Sequence, residues 1–345
     1  MQPTRTDMIR FRYRDQNTSL SPGELFSRAQ EAGFRDTAAQ DLLSLVSEIE
    51  FGRPWRQVVQ ERYAVAKPWL HRIITDPSRT AFFDPVLLPT DGVILDLGAG
   101  WGQTCRPLAT QRRVVALEPV AERLAFIQAA ARQDGVDHNL HYIGADYFDV
   151  HFESKFSLIC AIGVFEWVGA FQNTIDPQER QRQFLRKARQ DLATGGSLVL
   201  GIENRLGLKY LLGCPDDHIG VPHIASLPSA LARKRWHEAS GQPLQSFTYS
   251  LAELDQWLHA AGFAQVEFFA AFPDYKLPAK IIPLTDGGAV LNNWLANSTV
   301  PAEHNGYDGS PLAADFMQSL QAGYRDLAAS GQARHFVPSF FIRAS

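Results

Sequence analysis

Three groups of residues in this chain have types and spacings suited to chemistry. The first is Asp96-Leu97-Gly98-Ala99-Gly100-Trp101-Gly102, where an apolar run from Val93 to Leu97 breaks into three closely spaced glycines. Glycine permits positive φ and removes the Cβ that would keep a ligand from the backbone. A strand, a glycine turn and a helix start form the nucleotide cradle of doubly wound folds. The dinucleotide pattern G-x-G-x-x-G is not met, because Gln103 holds its sixth position. A carboxylate immediately before the turn, Asp96, suits a ligand carrying positive charge better than a pyrophosphate. The second group is the acid Glu118, which ends the next apolar run about 20 residues on, the separation at which such folds place an acid on ribose hydroxyls. The third is the polar run from Glu203, Asn204 and Arg205 through Tyr210 to Asp216, Asp217 and His218. It follows the apolar segment Ser197–Ile202, where a doubly wound sheet presents its active face.

The elements that must position these residues can be read from apolar patterning. Strands are expected at 93–97, 113–118, 141–143, 156–162, 197–202, 264–271 and 335–344. Helices are expected at 121–133 and 181–192, the latter closed by Gly195-Gly196. A capping box at Ser250-Leu251-Ala252-Glu253 opens another helix, ending at Gly262, and Ser310-Pro311 starts a late one through about Ala329. Residues 1–80 read as a helical extension or lid. Ser21-Pro22-Gly23-Glu24 opens a helix closed by Gly33; a stripe at Leu42, Leu43, Leu45, Val46 and Ile49 marks a second; 54–64 and 68–74 are shorter ones. Trp55, Arg56, Tyr63, Trp69 and Arg79 in this extension either pack on the core or face a ligand.

The motif D-L-G-A-G-W-G, with its series of acid-terminated strands, resembles the class I S-adenosylmethionine (SAM)-dependent methyltransferases. That resemblance implies an α/β, Rossmann-like fold: a seven-stranded, mostly parallel sheet with an antiparallel last strand. It implies a methyltransferase domain over 81–345, with insertions at about 204–245 and 276–333. SAM, giving S-adenosylhomocysteine, is the cofactor it implies, bound by Asp96, Gly98, Gly100, Trp101, Gly102, Glu118, Asp146, Tyr147 and Gly163. The segments I-E-N-R-L-G-L-K-Y-L-L-G-C-P-D-D-H and F-P-D-Y-K-L-P are similar to those of bacterial methyltransferases of surface-polysaccharide and glycan assembly, some of them fused to glycosyltransferase modules. The acceptor expected on that basis is a sugar hydroxyl, with glycosyltransferases of the same pathway as possible associates. A small natural product as acceptor, or a non-catalytic module of the same fold, are the competing readings.

Methyl transfer to an alcohol needs in-line alignment and a proton acceptor. His218 is the first candidate, for its near-neutral pKa, with Asp217 orienting it or acting itself. Glu166, in G-V-F-E-W-V, is the other, with Trp167 as a wall. Glu203, Asn204, Arg205 and Tyr210 are the candidate acceptor-binding residues. No metal is expected, since Asp216, Asp217 and His218 alone are too few ligands. The basic run Arg233-Lys234-Arg235 reads as a wet helix face or a phosphate contact.

Composition bounds the rest. Net charge is −4 over 345 residues, which gives no electrostatic case for nucleic acid or an anionic membrane. No apolar run reaches the eighteen or so residues of a membrane span, and the N-terminus lacks a signal-peptide core. Cys105, Cys160 and Cys214 show no metal-ligand spacing, so a reduced cytoplasmic setting is expected.

Overall fold

The computed structural model describes residues 8–28, 33–83, 91–171 and 175–345. They form two compact units. The first runs to Ala161 and takes in Lys187–Leu198; the second comprises Ile162–Arg186 and Val199–Ser345.

In the first unit the chain makes β1 (Ile9–Tyr13), β2 (Gln16–Leu20), β3 (Leu25–Ser27), α1 (Ala39–Glu50), α2 (Trp55–Tyr63) and α3 (Pro68–Thr75). Then come β4 (Val93–Leu97), α4 (Cys105–Leu108), β5 (Arg113–Leu117), α5 (Ala121–Gln133), β6 (Leu140–Gly144) and β7 (Val150–Phe152). β8 (Phe156–Ile162) closes the series, its last residue opening the second unit. The strand order is β8-β4-β5-β6-β3. Pairing is parallel throughout, with Ile94 opposite Leu158 and Val114, Val115 opposite His141, and Leu25 opposite Tyr142. All five residues of β4 are buried, as befits a parallel strand covered on both faces.

The first eighty residues depart from the helical expectation at their start. Ile9, Phe11 and Tyr13 are buried while Arg10 and Arg12 are exposed. That period-two pattern is a strand signal, and β1 pairs antiparallel with β2 and β7. The expected helix from Ser21 is also replaced. The Glu24 carboxylate accepts from the Ser21 N–H at 2.7 Å, half of a capping box. The chain then pairs with β6 as the edge strand β3, because Gly23 N–H and Tyr142 N–H bond to Leu140 and Glu24 carbonyls. Residues 29–32, the rest of that expected helix, lie outside the described residues.

α1 to α3 form as expected. Leu42, Leu45, Val46 and Ile49 join Trp55, Val58, Val59 and Tyr63 in one buried cluster with Trp101, Phe126, Ala129 and Ala130. Leu43, counted in the stripe, is half exposed. The extension is thus docked on α5 and on the tryptophan of the glycine turn.

α6 (Pro177–Asp191) and β9 (Leu192–Glu203) are each divided between the units. The strand begins at once after the helix and runs through Gly195-Gly196, so these glycines lie within β9 and do not close the helix as expected. The second unit continues with α7 (Leu208–Leu211), α8 (Ser229–Ser240), α9 (Leu251–Ala260), β10 (Val266–Phe272), β11 (Lys280–Pro283), α10 (Ala289–Asn297), α11 (Ala314–Ala329) and β12 (Ser339–Ala344). Its strand order is β11-β10-β12-β9. β10 pairs antiparallel with β12, Phe268 opposite Ile342, as the resemblance implied. β11 was not expected; it hairpins back on β10, with Phe269 opposite Pro283. The capping box at Ser250 and Glu253 forms in both directions.

Phe126 shows how strongly the extension is tied down in the first unit. Its ring is fully buried, 5.0 Å from the Trp101 centroid and 6.0 Å from that of Trp55. Phe126→Ala is expected to cost about 3–5 kcal/mol of stability, read from urea denaturation.

Candidate functional site

β4 delivers the Asp96 carboxylate and then the turn. Gly98, Gly100 and Gly102 have φ of 61°, 57° and 78°, the left-handed region that non-glycine residues rarely occupy. A Cβ at Gly102 would also stand 2.9 Å from Arg106 Nε and 3.1 Å from the Ile127 side chain. Glu118, directly after β5, pins this turn from the side. Its Oε2 accepts from the Gly100 N–H at 2.8 Å and its Oε1 from the Val120 N–H at 3.0 Å. Burial raises the Glu118 pKa, against the charge of Arg123 and those two N–H groups.

Asp96 is buried, and its Oδ2 has no hydrogen-bond partner. Burial pushes it up to about 7, opposed by the Cys105 backbone N–H and the charge of Arg79. Trp101 lies inside the packing. Its indole N–H donates to Asp36 Oδ2 at 3.0 Å, and Asp36 also pairs with Arg123 at 2.8 Å. Asp146, after β6, accepts from the Phe148 N–H at 2.8 Å and so caps a short turn. The Tyr147 hydroxyl donates to Asp191 at 2.8 Å, with the Lys187 ammonium 4.3 Å from its ring centroid. The structure therefore gathers the glycines, Asp96 and Glu118, while Trp101 and Tyr147 direct their polar ends to structural partners.

The extension's candidates behave as packing residues. Trp55 is buried, donating from its backbone to Gln133 and from its indole to Asp134, with Arg56 and Arg106 over its ring. Tyr63 packs edge-on against Trp101.

The second unit holds a separate polar cluster. Gly163 (φ 71°) belongs here: a Cβ on it would come within 2.9 Å of the Tyr275 hydroxyl. That hydroxyl donates to Glu166 Oε1 at 3.2 Å. Glu166 follows β8, and Glu203 ends β9; both are almost wholly buried. His218 Nε2 lies 3.6 Å from Glu203 Oε2 and 3.9 Å from Glu166 Oε1. Its ring meets Trp167 edge-on at 5.0 Å. Asp216 sits 3.4 Å from His218 Nδ1 and accepts the His218 and Ile219 N–H groups, fixing the turn that carries the imidazole.

Asp217, expected to orient His218, faces elsewhere. It pairs with Lys276 at 3.0 Å and Lys209 at 3.3 Å, and Lys276 also binds Glu203 Oε1. Burial alone would raise the Asp217 carboxyl, but the two ammonium groups hold it well below the usual range. Burial would lower His218; Glu203, Asp216 and Glu166 overrule it and raise the imidazole well above its ordinary value. Glu203 is raised by burial, with Lys276 and His218 opposing. Gly306 packs directly on Asp217, since a Cβ there would stand 1.9 Å from Oδ2.

Other candidates in this stretch have protein partners. Asn204 donates to the His335 and Val337 carbonyls at 2.9 and 2.8 Å and accepts from the Leu206 N–H. Arg205 pairs with the capping Glu253 at 2.7 Å and donates to the Ser226 carbonyl. Tyr210 is buried beside Asp217. In the basic run, Arg233 pairs with Asp176 at 2.8 Å and lies over Phe247, and Lys234 is exposed near Glu238. Lys209, Tyr275, Lys276 and Glu303 were not singled out as site residues. Tyr275 and Lys276 lie in the flagged segment F-P-D-Y-K-L-P, whereas nothing local marks Glu303. It is buried with both oxygens lacking hydrogen-bond partners, and burial pushes its carboxyl up to about 8 against the charge of Lys209.

Residues 94–196 match the family model described as methyltransferase domain. The strand order and the glycine turn are those of the Rossmann-like methyltransferase fold, and the match falls on the part of the chain that builds them. No curated protein matches the chain in sequence. Among solved structures it is similar to the CcbJ methyltransferase of Streptomyces caelestis, at 18% identity and TM-score 0.42 over 59% of this chain and 83% of that one. It is also similar to a Haemonchus contortus phosphoethanolamine N-methyltransferase in complex with S-adenosylhomocysteine, at 13% identity and TM-score 0.44 over 84% of this chain and 59% of that one. The cyclopropane synthase MmaA2 of Mycobacterium tuberculosis aligns at 17% identity and TM-score 0.41, covering 80% and 84%.

Two outcomes follow from this geometry. Asn204→Ala strands two buried carbonyls and is expected to cost roughly 2–3 kcal/mol by chemical denaturation. For Asp96, a folded pKa of about 7 against an ordinary 3.8 means its stabilising contribution is complete below about pH 4 and is lost as pH rises through 7. Asp96→Asn should therefore gain stability relative to the parent chain between pH 5 and pH 8, measured without cofactor; a constant difference would contradict the buried titration.

Proposed function

We propose that the chain transfers the SAM methyl group to a hydroxyl of a bacterial surface glycan or its precursor. One observation carries the reading: Glu166, Glu203 and His218, remote in sequence, offer ligand atoms within 4.8 Å of one another after β8 and β9. A hydroxyl acceptor must lose its proton as the methyl–oxygen bond forms, and this cluster supplies basic atoms. Glu166 Oε2 and Glu203 Oε2 are buried and take no hydrogen bond. His218, held as a cation by the carboxylates around it, orients them and is not itself the base. Asp217 is removed from that role by its ion pairs. The likeness of the 202–218 and 272–278 segments to glycan-assembly methyltransferases favours a sugar over another alcohol. In this reading the enzyme works in the cytoplasm alongside the glycosyltransferases of the same assembly.

The cofactor's charge is met by Asp96 and its ribose by Glu118, with the glycine turn admitting the methionine portion against the backbone and Asp146 accepting from the adenine amino group. SAM supplies an activated methyl, so alignment and proton removal are the protein's share.

Glu118→Ala is expected to weaken SAM binding by about 1.5–3 kcal/mol, measured by calorimetric titration. Glu203→Gln and Glu166→Gln should each slow single-turnover methyl transfer to a hydroxylated sugar by roughly a hundredfold while SAM affinity holds. Unchanged rates in both would remove the cluster from the reaction.

A further inference from the structure

The same cluster has a second layer of contacts that direct proton transfer alone does not require. Each of its three residues is anchored at one atom and open at another. The Tyr275 hydroxyl holds Glu166 Oε1 and the Lys276 ammonium holds Glu203 Oε1, while both Oε2 atoms are buried without a hydrogen bond. His218 divides in the same way. Its Nδ1 is turned to Asp216 at 3.4 Å, and its Nε2 faces Glu203 Oε2 at 3.6 Å. Outer atoms tied to a carboxylate, an ammonium and a phenol, with inner atoms left bare, is how a protein orients metal ligands. Of the two oxygens, Glu203 Oε2 faces the imidazole and Glu166 Oε2 is buried without a hydrogen bond.

Charge points the same way. Glu166, Glu203, Asp216 and Asp217 bring four negative charges, and Lys209 and Lys276 return two. The imidazolium proton of His218 meets part of the remainder in the unliganded cluster, and a divalent cation would take its place by displacing that proton. Ligand atoms on an ion at about 2.1 Å stand about 3–4 Å apart. One ligand atom from each of the three residues lies within 4.8 Å of the others, so a contraction of about 1 Å closes the site.

We propose that Glu166, Glu203 and His218 form a binding site for one divalent cation of the Mn2+ or Mg2+ kind, with open positions for an acceptor oxygen. Two carboxylates and one imidazole with room for further oxygens suit such ions. The absence of a metal expected from sequence rested on residues 216–218; of these only His218 is a ligand, and Asp216 is its outer partner. This deepens the methyltransferase reading and rests on it only for the acceptor: a cation-bound hydroxyl is more acidic and would pass its proton to solvent water as the methyl–oxygen bond forms and the methyl–sulfur bond breaks, the carboxylates then serving as ligands in place of proton acceptors.

The test uses the full chain after dialysis against EDTA, titrated with MnCl2 and followed by electron paramagnetic resonance of free Mn2+, with SAM binding measured on the same samples. One Mn2+ per chain is expected, displaced by excess Mg2+. Glu203→Gln and His218→Gln should weaken it at least tenfold, and the outer-layer variant Asp216→Asn about tenfold, all with unchanged circular dichroism and SAM affinity. Mn2+ binding no tighter in the parent chain than in folded Glu203→Gln would overturn the site. If methyl transfer proceeds at full rate in EDTA with no Mn2+ bound, the cation inference fails and the methyltransferase reading stands. If Mn2+ binds through these residues but no hydroxyl is methylated, the site stands and the acceptor reading fails.

Discussion

The second unit depends on one contact, the Lys276 ammonium held between Glu203 and Asp217. Carboxylates buried as deeply as these are costly unless a cation or hydrogen bonds compensate them. Lys276 shares its one positive charge between Glu203 and Asp217, and Lys209 adds to the compensation of Asp217. The turn at 215–222, the end of β9 and the segment before β11 are held in mutual register by these ion pairs. Gly306 extends the constraint to the long connection between β10 and β12, because its backbone lies against the Asp217 carboxylate.

The first unit solves its site differently. There the turn after β4 is shaped by left-handed glycines, and the Glu118 and Gln103 side chains hold its N–H groups. The extension contributes by packing, with Trp101 as the shared piece between glycine turn and α1–α3 cluster. Trp55, Tyr63 and Arg106 accordingly form an apolar and ion-paired foundation under the turn.

Much of the fold was legible because the relevant signals are local. β4, β8 and α5 have the bounds their apolar runs indicate, and the capping box at Ser250 forms as written. Failures came where a local signal met a non-local competitor. Ser21-Pro22-Gly23-Glu24 carries the letters of a helix start, yet β6 offered an unpaired edge and the backbone took it. The alternation I-R-F-R-Y was itself a strand signal, and its partners β2 and β7 could be known only from tertiary pairing. In the site, His218, Glu166 and Glu203 were visible as residue types beside strand ends. Which aspartate faces the imidazole was not: Asp216 and Asp217 are adjacent, and only the turn geometry sends one to His218 and the other to two lysines. Glu303 carried no sequence signal, since its burial is a product of packing alone.

The hydrogen bonds from Glu118 to Gly100 and Val120 bear on the thermodynamics of cofactor entry. A carboxylate has about four lone-pair directions, and these two N–H groups use two of them. Two directions remain, so a further hydrogen bond to this carboxylate need not break the contacts that shape the turn. Three residues at positive φ form a segment whose unligated ensemble would otherwise be broad. Fixing it through Glu118 places the loss of backbone freedom in the folding step, before any cofactor arrives. In the proposed reading, association with SAM begins from an ordered cradle, and its entropy change would reflect released water and the cofactor's own lost motions more than the ordering of a loop.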